Sequence, residues 1–295
     1  MTCPSPARSD IVRYDEPLAP HTTWRVGGPA DVLCVPPTVP ALSAFLSAHP
    51  ALPLLWLGLG SNTLVRDAGI RGLVVITAGG LAGLGFEGQA IRAEAGVPLA
   101  KLARFSVQSG YTGLEFLAGI PGTVGGALAM NAGAAGREIW EQVASVETID
   151  RGGERHVRTR VDFEIGYRSV RRFREEWFVS ALFELPSGDP SLGMARIREH
   201  LGVRNRTQPV QTANAGSVFR NPPGDHAGRL IEKAGLKGLR EGGAVVSERH
   251  ANFIINDAAA TASDIERLIL RVQAEVHERM DVWLETEVKI VGDAA

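Results

Sequence analysis

The sequence predicts an α+β protein, and three observations lead there. Short apolar or alternating runs of strand length, bounded by glycine and proline, recur along the chain. Helical spacing is interspersed among them, clearest from Ser263 to Met280, where Ile265, Leu268, Ile269, Val272 and Val276 share one face. No internal repeat and no low-complexity tract interrupts this mixture.

Residues 1–22 read as a polar leader in which Pro4, Pro6, Pro17 and Pro20 exclude a long helix. After the turn Arg25-Val26-Gly27-Gly28, Asp31 to Val35 reads as a strand stopped by Pro36 and Pro37. Val39 to His49 has helical spacing at Leu42, Phe45 and Leu46. Pro53 to Leu59, Leu73 to Ile76 and Ile91 to Ala95 are strands, and Leu99 to Gly110 is a helix with Gly110 as its stop. A glycine-rich stretch, Tyr111 to Gly136, follows. Then come strands at Val143 to Ile149, Glu154 to Val157 and Trp177 to Leu185, the first two joined by a turn at Arg151-Gly152-Gly153. Pro186 to Pro190 is a boundary signal. Beyond it lie a helix over Leu192 to Leu201, a polar connector from Asn205 to Gly216, and a short strand from Ser217 to Asn221. A helix over Ala227 to Ala234 precedes strands at Ala244 to Ser247 and Asn252 to Asn256. The long helix from Ser263, with Ser263 as cap and Glu266 three residues on, leads to a final strand over Trp283 to Val291.

With 295 residues the chain can hold two or three modules with cores of their own. A formal net charge of -2 and a pI near 6.4 give no bulk attraction to nucleic acid. Cys3 and Cys34 are far apart and lack histidine neighbours, which argues against a disulfide framework or a zinc site and fits a reducing compartment. The first ten residues, MTCPSPARSD, lack an apolar signal core, and no apolar run approaches the roughly 20 residues that span a bilayer. The expectation is a soluble cytoplasmic protein with no metal, membrane or nucleic-acid partner.

The stretch YTGLEFLAGIPGTVGGALAMNAGAAG organises the chain. Glycine recurs at Gly113, Gly119, Gly122, Gly125, Gly126, Gly133 and Gly136, with Pro121 stiffening one turn. Such a run makes a poor helix and a poor strand, because glycine loses much backbone freedom on ordering. It offers bare backbone N–H groups on which a flat or phosphorylated ligand can lie. A glycine-rich surface loop or a tightly packed core turn is the competing reading. Leu57-Gly58-Leu59-Gly60-Ser61-Asn62 ends a strand in Gly-x-Gly, yet Thr63 stands at the third glycine position and no helix pattern follows. Gly119 to Gly126 lacks the Lys-Ser or Lys-Thr of a P-loop. A nucleotide bound here is therefore held by neither standard fold.

Taken singly, the polar candidates look ordinary. Arg168 reads as a surface arginine packed on Tyr167, Ser217 as a turn serine, and Glu287 as a solvated glutamate sharing a wet face with Glu285 and Lys289. His250 and Lys237 read as surface groups. No Ser-His-Asp order and no histidine pair with metal-ligand spacing is present.

Read together, the segments resemble the UDP-N-acetylenolpyruvoylglucosamine reductase family. TTWRVGGPAD, LGLGSNTLVRD, GLEFLAGIPGTVGGALAMNAGA, GYRS, NAGSVFRNP, AGRLIEKAGLKG, HANFIIN and LETEVKIVG carry the resemblance, in order, from Thr22 to Gly292. It implies a two-lobed FAD-binding fold shared with vanillyl-alcohol-oxidase-type flavoproteins, followed by a C-terminal α+β substrate-binding domain. The implied division is lobe 1 over 1–70, with the last strand (about 283–295) returning to it, lobe 2 over 71–188, and the substrate domain over 189–282. Gly58, Gly60, Ser61 and Asn62 match the loop that holds the FAD pyrophosphate. Gly119, Ile120, Pro121, Gly122, Thr123, Gly125 and Gly126 match the segment along pyrophosphate and flavin, with Asn131 and Gly133 after it. Arg168, Ser217 and Glu287 match the catalytic trio, and Tyr167, Asn221 and Lys237 match substrate contacts. The short segment between Arg168 and Ser217 resembles the shorter, second type of the family. Thr286 stands where the family usually has proline, and Ala135 where an aromatic is frequent.

The resemblance further implies reduction of the enolpyruvyl ether of UDP-N-acetylglucosamine-enolpyruvate to UDP-N-acetylmuramate, with NADPH as electron donor. No cysteine or histidine lies in the glycine-rich stretch, so the FAD is expected to be noncovalent. Negative charge developing beside the substrate carboxylate suits the planar fork of Arg168. Glu287 would donate a hydrogen bond to it, a role that requires the protonated acid. Ser217 would protonate the carbon. No obligate protein partner is implied.

Overall fold

A computed structural model describes residues 11–293; Cys3, Pro4 and Pro6, which figure in the leader reading, lie outside them. Part of the expected leader is a strand, β1 (Val12–Pro17), which pairs with β2 (Pro29–Cys34) at the edge of a sheet. Most of its side chains are exposed, so no hydrophobic period marks it in the sequence. Then follow α1 (Val39–Ala48), β3 (Leu54–Leu57), β4 (Thr63–Val65), β5 (Ile70–Ile76), β6 (Leu84–Glu87) and β7 (Ala90–Glu94). Next are α2 (Leu99–Gln108), α3 (Val124–Met130), β8 (Gly133–Ala134), β9 (Arg137–Glu138), β10 (Val143–Asp150) and β11 (Arg155–Arg158). β12 (Phe163–Gly166) and β13 (Ser169–Arg172) form a hairpin before β14 (Glu176–Phe183). The remainder is α4 (Pro190–Thr207), β15 (Ala213–Asn214), α5 (Ala227–Lys233), β16 (Arg240–Glu241), β17 (Ala244–Val246), β18 (Ile254–Asn256), α6 (Ala262–Met280) and β19 (Lys289–Val291).

These elements form two units. The first takes the described residues up to Tyr14, Val32–Leu59 and Gly72–Gly202; the second takes Asp15–Asp31, Gly60–Arg71 and the described residues from Val203 on. In the first, an antiparallel sheet runs β11-β10-β14-β7-β6. β14 reads as one apolar run because it serves two cores. Trp177 and Val179 join Leu42, Phe45 and Leu46 of α1, while Phe178, Ala181 and Phe183 join Leu102 of α2 and Leu128 of α3. Cys34 is buried in the first of these cores, and burial pushes its thiol up to about 12, well away from nucleophilic range.

In the second unit the sheet runs β15-β18-β17-β16, and α6 packs on β16, β17 and α5. Ile265, Leu268, Ile269, Val272 and Val276 are buried, as the spacing predicts. Trp24, Val26 and Leu64 fill the same core, and Trp24 Nε1 donates to Ile254 O at 2.8 Å. β19 pairs in parallel with β4, Ile290 opposite Leu64.

Several local expectations need correction. α6 is capped by Thr261, in a capping box with Asp264; Ser263 instead donates its hydroxyl to Asp67, whose carboxylate also takes the Ala262 and Ser263 N–H groups. α4 runs on through Thr207, into the expected polar connector. The final strand is confined to Lys289–Val291, preceded by a single bridge between Thr286 and Phe219. The glycine-rich stretch contains a helix, α3, which a purely local reading disfavours. Among the described residues no helix is long and apolar enough to cross a membrane.

Candidate active site

In the first unit, tertiary hydrogen bonds hold the glycine-rich stretch against 95–99. Val124 N donates to Val97 O, Gly125 N to Ala95 O, and Leu99 N at the start of α2 to Gly122 O. Thr123 forms a bridge with Pro98. These bonds pin the entrance of α3 and compensate for its two glycines. The approach is close: a Cβ on Gly125 would lie 2.9 Å from Ala95 Cβ. At Gly58, a Cβ would lie 2.4 Å from Thr123 Oγ1, so the strand end and the glycine-rich stretch touch here. Pro121 is exposed, while Gly119, Ile120, Gly122 and Gly126 are half-buried. Thr123 and Asn131 are 2% and 0% exposed, yet Thr123 Oγ1 and Asn131 Oδ1 find no hydrogen-bond partner among the described residues.

Tyr167 and Arg168 are the two turn residues between β12 and β13, where Gly166 pairs with Ser169. Arg168 has φ 52°. Its Nη1 donates to Asn131 O at 3.3 Å and its Nη2 to Gly133 O at 2.6 Å. The guanidinium also lies 5.3 Å from the Tyr167 ring centre. Packing on Tyr167 is thus present, but the head group is turned onto main-chain carbonyls.

The second unit brings Ser217 and Glu287 onto neighbouring segments. Glu287 N donates to Val218 O at 2.8 Å, and Arg220 N donates to Glu285 O at 2.9 Å. Asn62 Nδ2 donates to Glu287 O at 3.1 Å, while Asn62 O accepts from Lys289 N. Glu287 is therefore tied at its main chain to Val218, the neighbour of Ser217, and to the Asn62 side chain. The Ser217 segment has a second anchor missing from the sequence reading: Asn252, 3% exposed, accepts from Phe219 N and donates to Phe219 O. Its one signal was its place inside HANFIIN. Gly60 sits at φ 63° with its carbonyl accepting from Thr23 N, and Ser61 is half-buried. Asn221 Oδ1 accepts from Ala227 N at the start of α5. Lys237 pairs with Glu232 at 2.6 Å. Burial, with a smaller contribution from the Lys237 charge, lowers His250 below its ordinary range.

Arg168 and Tyr167 belong to the first unit with Gly58, Gly119 to Gly126, Asn131 and Gly133; Gly60, Ser61, Asn62, Ser217, Asn221, Lys237 and Glu287 belong to the second. A groove of about 790 Å³ in the second unit, bounded by Arg240, Arg249 and Asp257, is lined by none of these predicted residues. Asp150, Glu154 and His156 stand within metal-ligand reach of one another, but Asp150 already accepts from Glu154 N and lies 3.0 Å from His156 Nε2.

Two domain families match the chain: the FAD binding domain over residues 30–159 and the UDP-N-acetylenolpyruvoylglucosamine reductase C-terminal domain over residues 208–291. The UDP-N-acetylenolpyruvoylglucosamine reductase of Alkalilimnicola ehrlichii is 55% identical over 284 residues, covering 96% of this chain and 95% of that one. The chain belongs to the UDP-N-acetylenolpyruvoylglucosamine reductase family. A second reductase of the family, from Methylococcus capsulatus, is 53% identical over 292 residues, covering 98% of this chain and 96% of its own. The crystal structure of the family's Thermus caldophilus reductase superposes with a TM-score of 0.82 at 34% identity, covering 94% of this chain and 97% of that one. FAD fits the residues present: the buried, unsatisfied oxygens of Thr123 and Asn131 lie within the segment matched by the FAD binding domain, and such oxygens are costly to leave unpaired.

Proposed function

We propose that this chain catalyses the NADPH-dependent, FAD-mediated reduction of UDP-N-acetylglucosamine-enolpyruvate to UDP-N-acetylmuramate in peptidoglycan precursor synthesis. The observation that carries this reading is the 55% identity to a reductase of that name over nearly the whole of both chains. Bound FAD supplies a hydride relay from NADPH to the methylene carbon of the enol ether. The glycine-rich segment of Gly119, Ile120, Pro121, Gly122, Gly125 and Gly126, the Thr123 hydroxyl, the Asn131 amide oxygen and Gly133 would hold it, together with Gly58, Gly60, Ser61 and Asn62. The N–H groups of Ile120 and Gly125 are engaged by Leu117 O and Ala95 O, so those two residues would shape the cradle rather than donate to it.

The double bond takes up one hydride and one proton, and negative charge builds on the carbon beside the carboxylate. Arg168 is assigned to that carboxylate. Carbonyl acceptors at Asn131 and Gly133 orient its plane without neutralising it. Glu287 is assigned to hydrogen-bond donation toward the same charge, and Ser217 to protonation of the carbon. The ladder at Val218 supports pairing these two roles, because it fixes both residues on adjacent main chain. Tyr167, Asn221 and Lys237 are assigned to the nucleotide sugar. On this reading lobe 1 covers 1–70 with 283–295, lobe 2 covers 71–188 and the substrate domain covers 189–282; the pairing of β19 with β4 supports the return of the last segment. Both substrates are water-soluble nucleotides, and the cytoplasm is the location this reading gives the reaction.

The test is the visible spectrum of purified protein under nitrogen. Flavin absorbance should bleach with NADPH and recover on adding the enolpyruvyl nucleotide. In Ser217→Ala the bleaching persists and the recovery slows by about 10²–10⁴-fold, the scale of one positioned proton donor. A colourless protein, or one indifferent to NADPH, defeats the reading; recovery at the wild-type rate in Ser217→Ala removes that residue from its role.

A further inference from the structure

We infer that Glu138 is a positioning residue for the reduction, acting through Asn131 to fix the turn that carries Arg168; the inference rests on the role given to Arg168 above. Asn131 is fully buried, and its Nδ2 donates to two acceptors: Glu138 Oε2 at 2.6 Å and Gly166 O at 3.0 Å. Gly166 is the last residue of β12, immediately before Tyr167 and Arg168. The same short segment grips the other end of Arg168, since Asn131 O and Gly133 O accept from its guanidinium. The turn that carries Arg168 is thus held at Gly166, two residues before it, by a side-chain amide, and the arginine's head is held by two carbonyls.

That grip matters because Arg168 has φ 52°, a conformation an L-residue with a long side chain keeps only when its surroundings impose it. Glu138 is itself well anchored. It pairs with Gly133 in the β8–β9 ladder, and it forms a reciprocal capping box with Glu141, whose Oε1 accepts from Glu138 N at 3.0 Å. A charged acceptor gives the stronger hydrogen bond and sets which face of the Asn131 amide is donor and which is acceptor. With the amide so oriented, Nδ2 reaches Gly166 O and Oδ1 is left as the buried, unsatisfied atom. Loss of the carboxylate releases the amide, then the Gly166 carbonyl, then the arginine turn.

The experiment measures both half-reactions and substrate binding in the FAD-loaded enzyme. Glu138→Ala should bleach with NADPH at close to the wild-type rate. Its flavin recovery with the enolpyruvyl nucleotide should slow about ten- to hundredfold, the scale of a misplaced catalytic group. Its dissociation constant for that nucleotide, measured by calorimetry on the oxidised enzyme, should rise. Glu138→Gln, which keeps an oxygen acceptor, should restore most of the recovery rate. In an Arg168→Ala background, Glu138→Ala should add no further loss. If Glu138→Ala does not fold, Glu138→Asp, with the carboxylate drawn back by one methylene, takes its place with the same expectations. Wild-type recovery and binding in the variant, equal loss in both half-reactions, or a full additive loss in the Arg168→Ala background would each overturn the inference. A wild-type enzyme that NADPH bleaches but the enolpyruvyl nucleotide cannot reoxidise would overturn the functional reading itself, and the inference with it.

Discussion

The main chain of Glu287 is engaged on both sides, its N–H by Val218 O and its C=O by Asn62 Nδ2. Substitution there changes the side chain without releasing the backbone, so the chemistry can be read cleanly. If donation is the role, Glu287→Gln keeps an N–H donor and Glu287→Ala does not. The expected loss in flavin recovery by substrate is about 10²–10³-fold for alanine and clearly smaller for glutamine, as for removal of one donor from an oxyanion site. Equal losses in stopped-flow traces would count against it. Residues of this kind were almost illegible singly. Glu287 alternates with Leu284 and Val288, which are buried, and so reads as the wet face. Arg168 carries no composition signal for its left-handed turn, because that conformation is announced by glycine or asparagine. Only the order of many segments singled these positions out. Glu138 and Asn252 stayed hidden, since their work is to hold other residues.

Among the elements, α3 shows where local preference loses. Its glycines cost helix stability, yet the bonds from Val124 and Gly125 to residues 97 and 95 fix its first turn. Gly125→Ala weighs the two effects directly. Alanine raises helix propensity by about 1 kcal/mol, but its Cβ would meet Ala95 Cβ at 2.9 Å and Ala95 O at 3.3 Å. The backbone at Ala95 is tied into the bond with Gly125 and has little room to retreat, so overpacking wins. Net destabilisation should be about 1–3 kcal/mol, seen as a lowered midpoint in thermal unfolding of the FAD-free protein; an unchanged or raised midpoint would refute it. The cap of α6 gives a parallel lesson. The Ser-x-x-Glu and Thr-x-x-Asp patterns overlap in the sequence, and the choice between them depends on Asp67, nearly two hundred residues away, which engages Ser263.

Across the first unit, Glu176 ties three strands. It accepts from Arg158 on β11 through two bonds, of 3.0 and 2.6 Å, and from Thr148 on β10 at 2.6 Å. Burial alone would push its carboxyl up, but the bonds from Arg158 and Thr148 outweigh it and hold it below the usual carboxylate range. A lowered folded pKa means stability that is full above the unfolded value, about 4.3, and is lost as pH falls through the folded one. Denaturant unfolding should therefore show wild type ahead of Glu176→Gln by about 1.5–3 kcal/mol at pH 7, with the gap closing below about pH 4. A gap that persists at low pH would exclude ionisation as its source. At this scale the α+β mixture was legible from periodicity. A pairing such as Ile290 with Leu64 leaves no local trace, and the return of the last segment was implied only by the family resemblance.

Trp24 donates its indole N–H to Ile254 and shares a core with α6. On the ribosome, the Trp24 indole is made 230 residues before the carbonyl it bonds, and waits for it. Until then that segment keeps a large apolar ring without its mate. The same arrangement makes the region from Val203 onward a poor candidate for separate expression: cut loose, it would carry a socket shaped for a tryptophan it no longer owns.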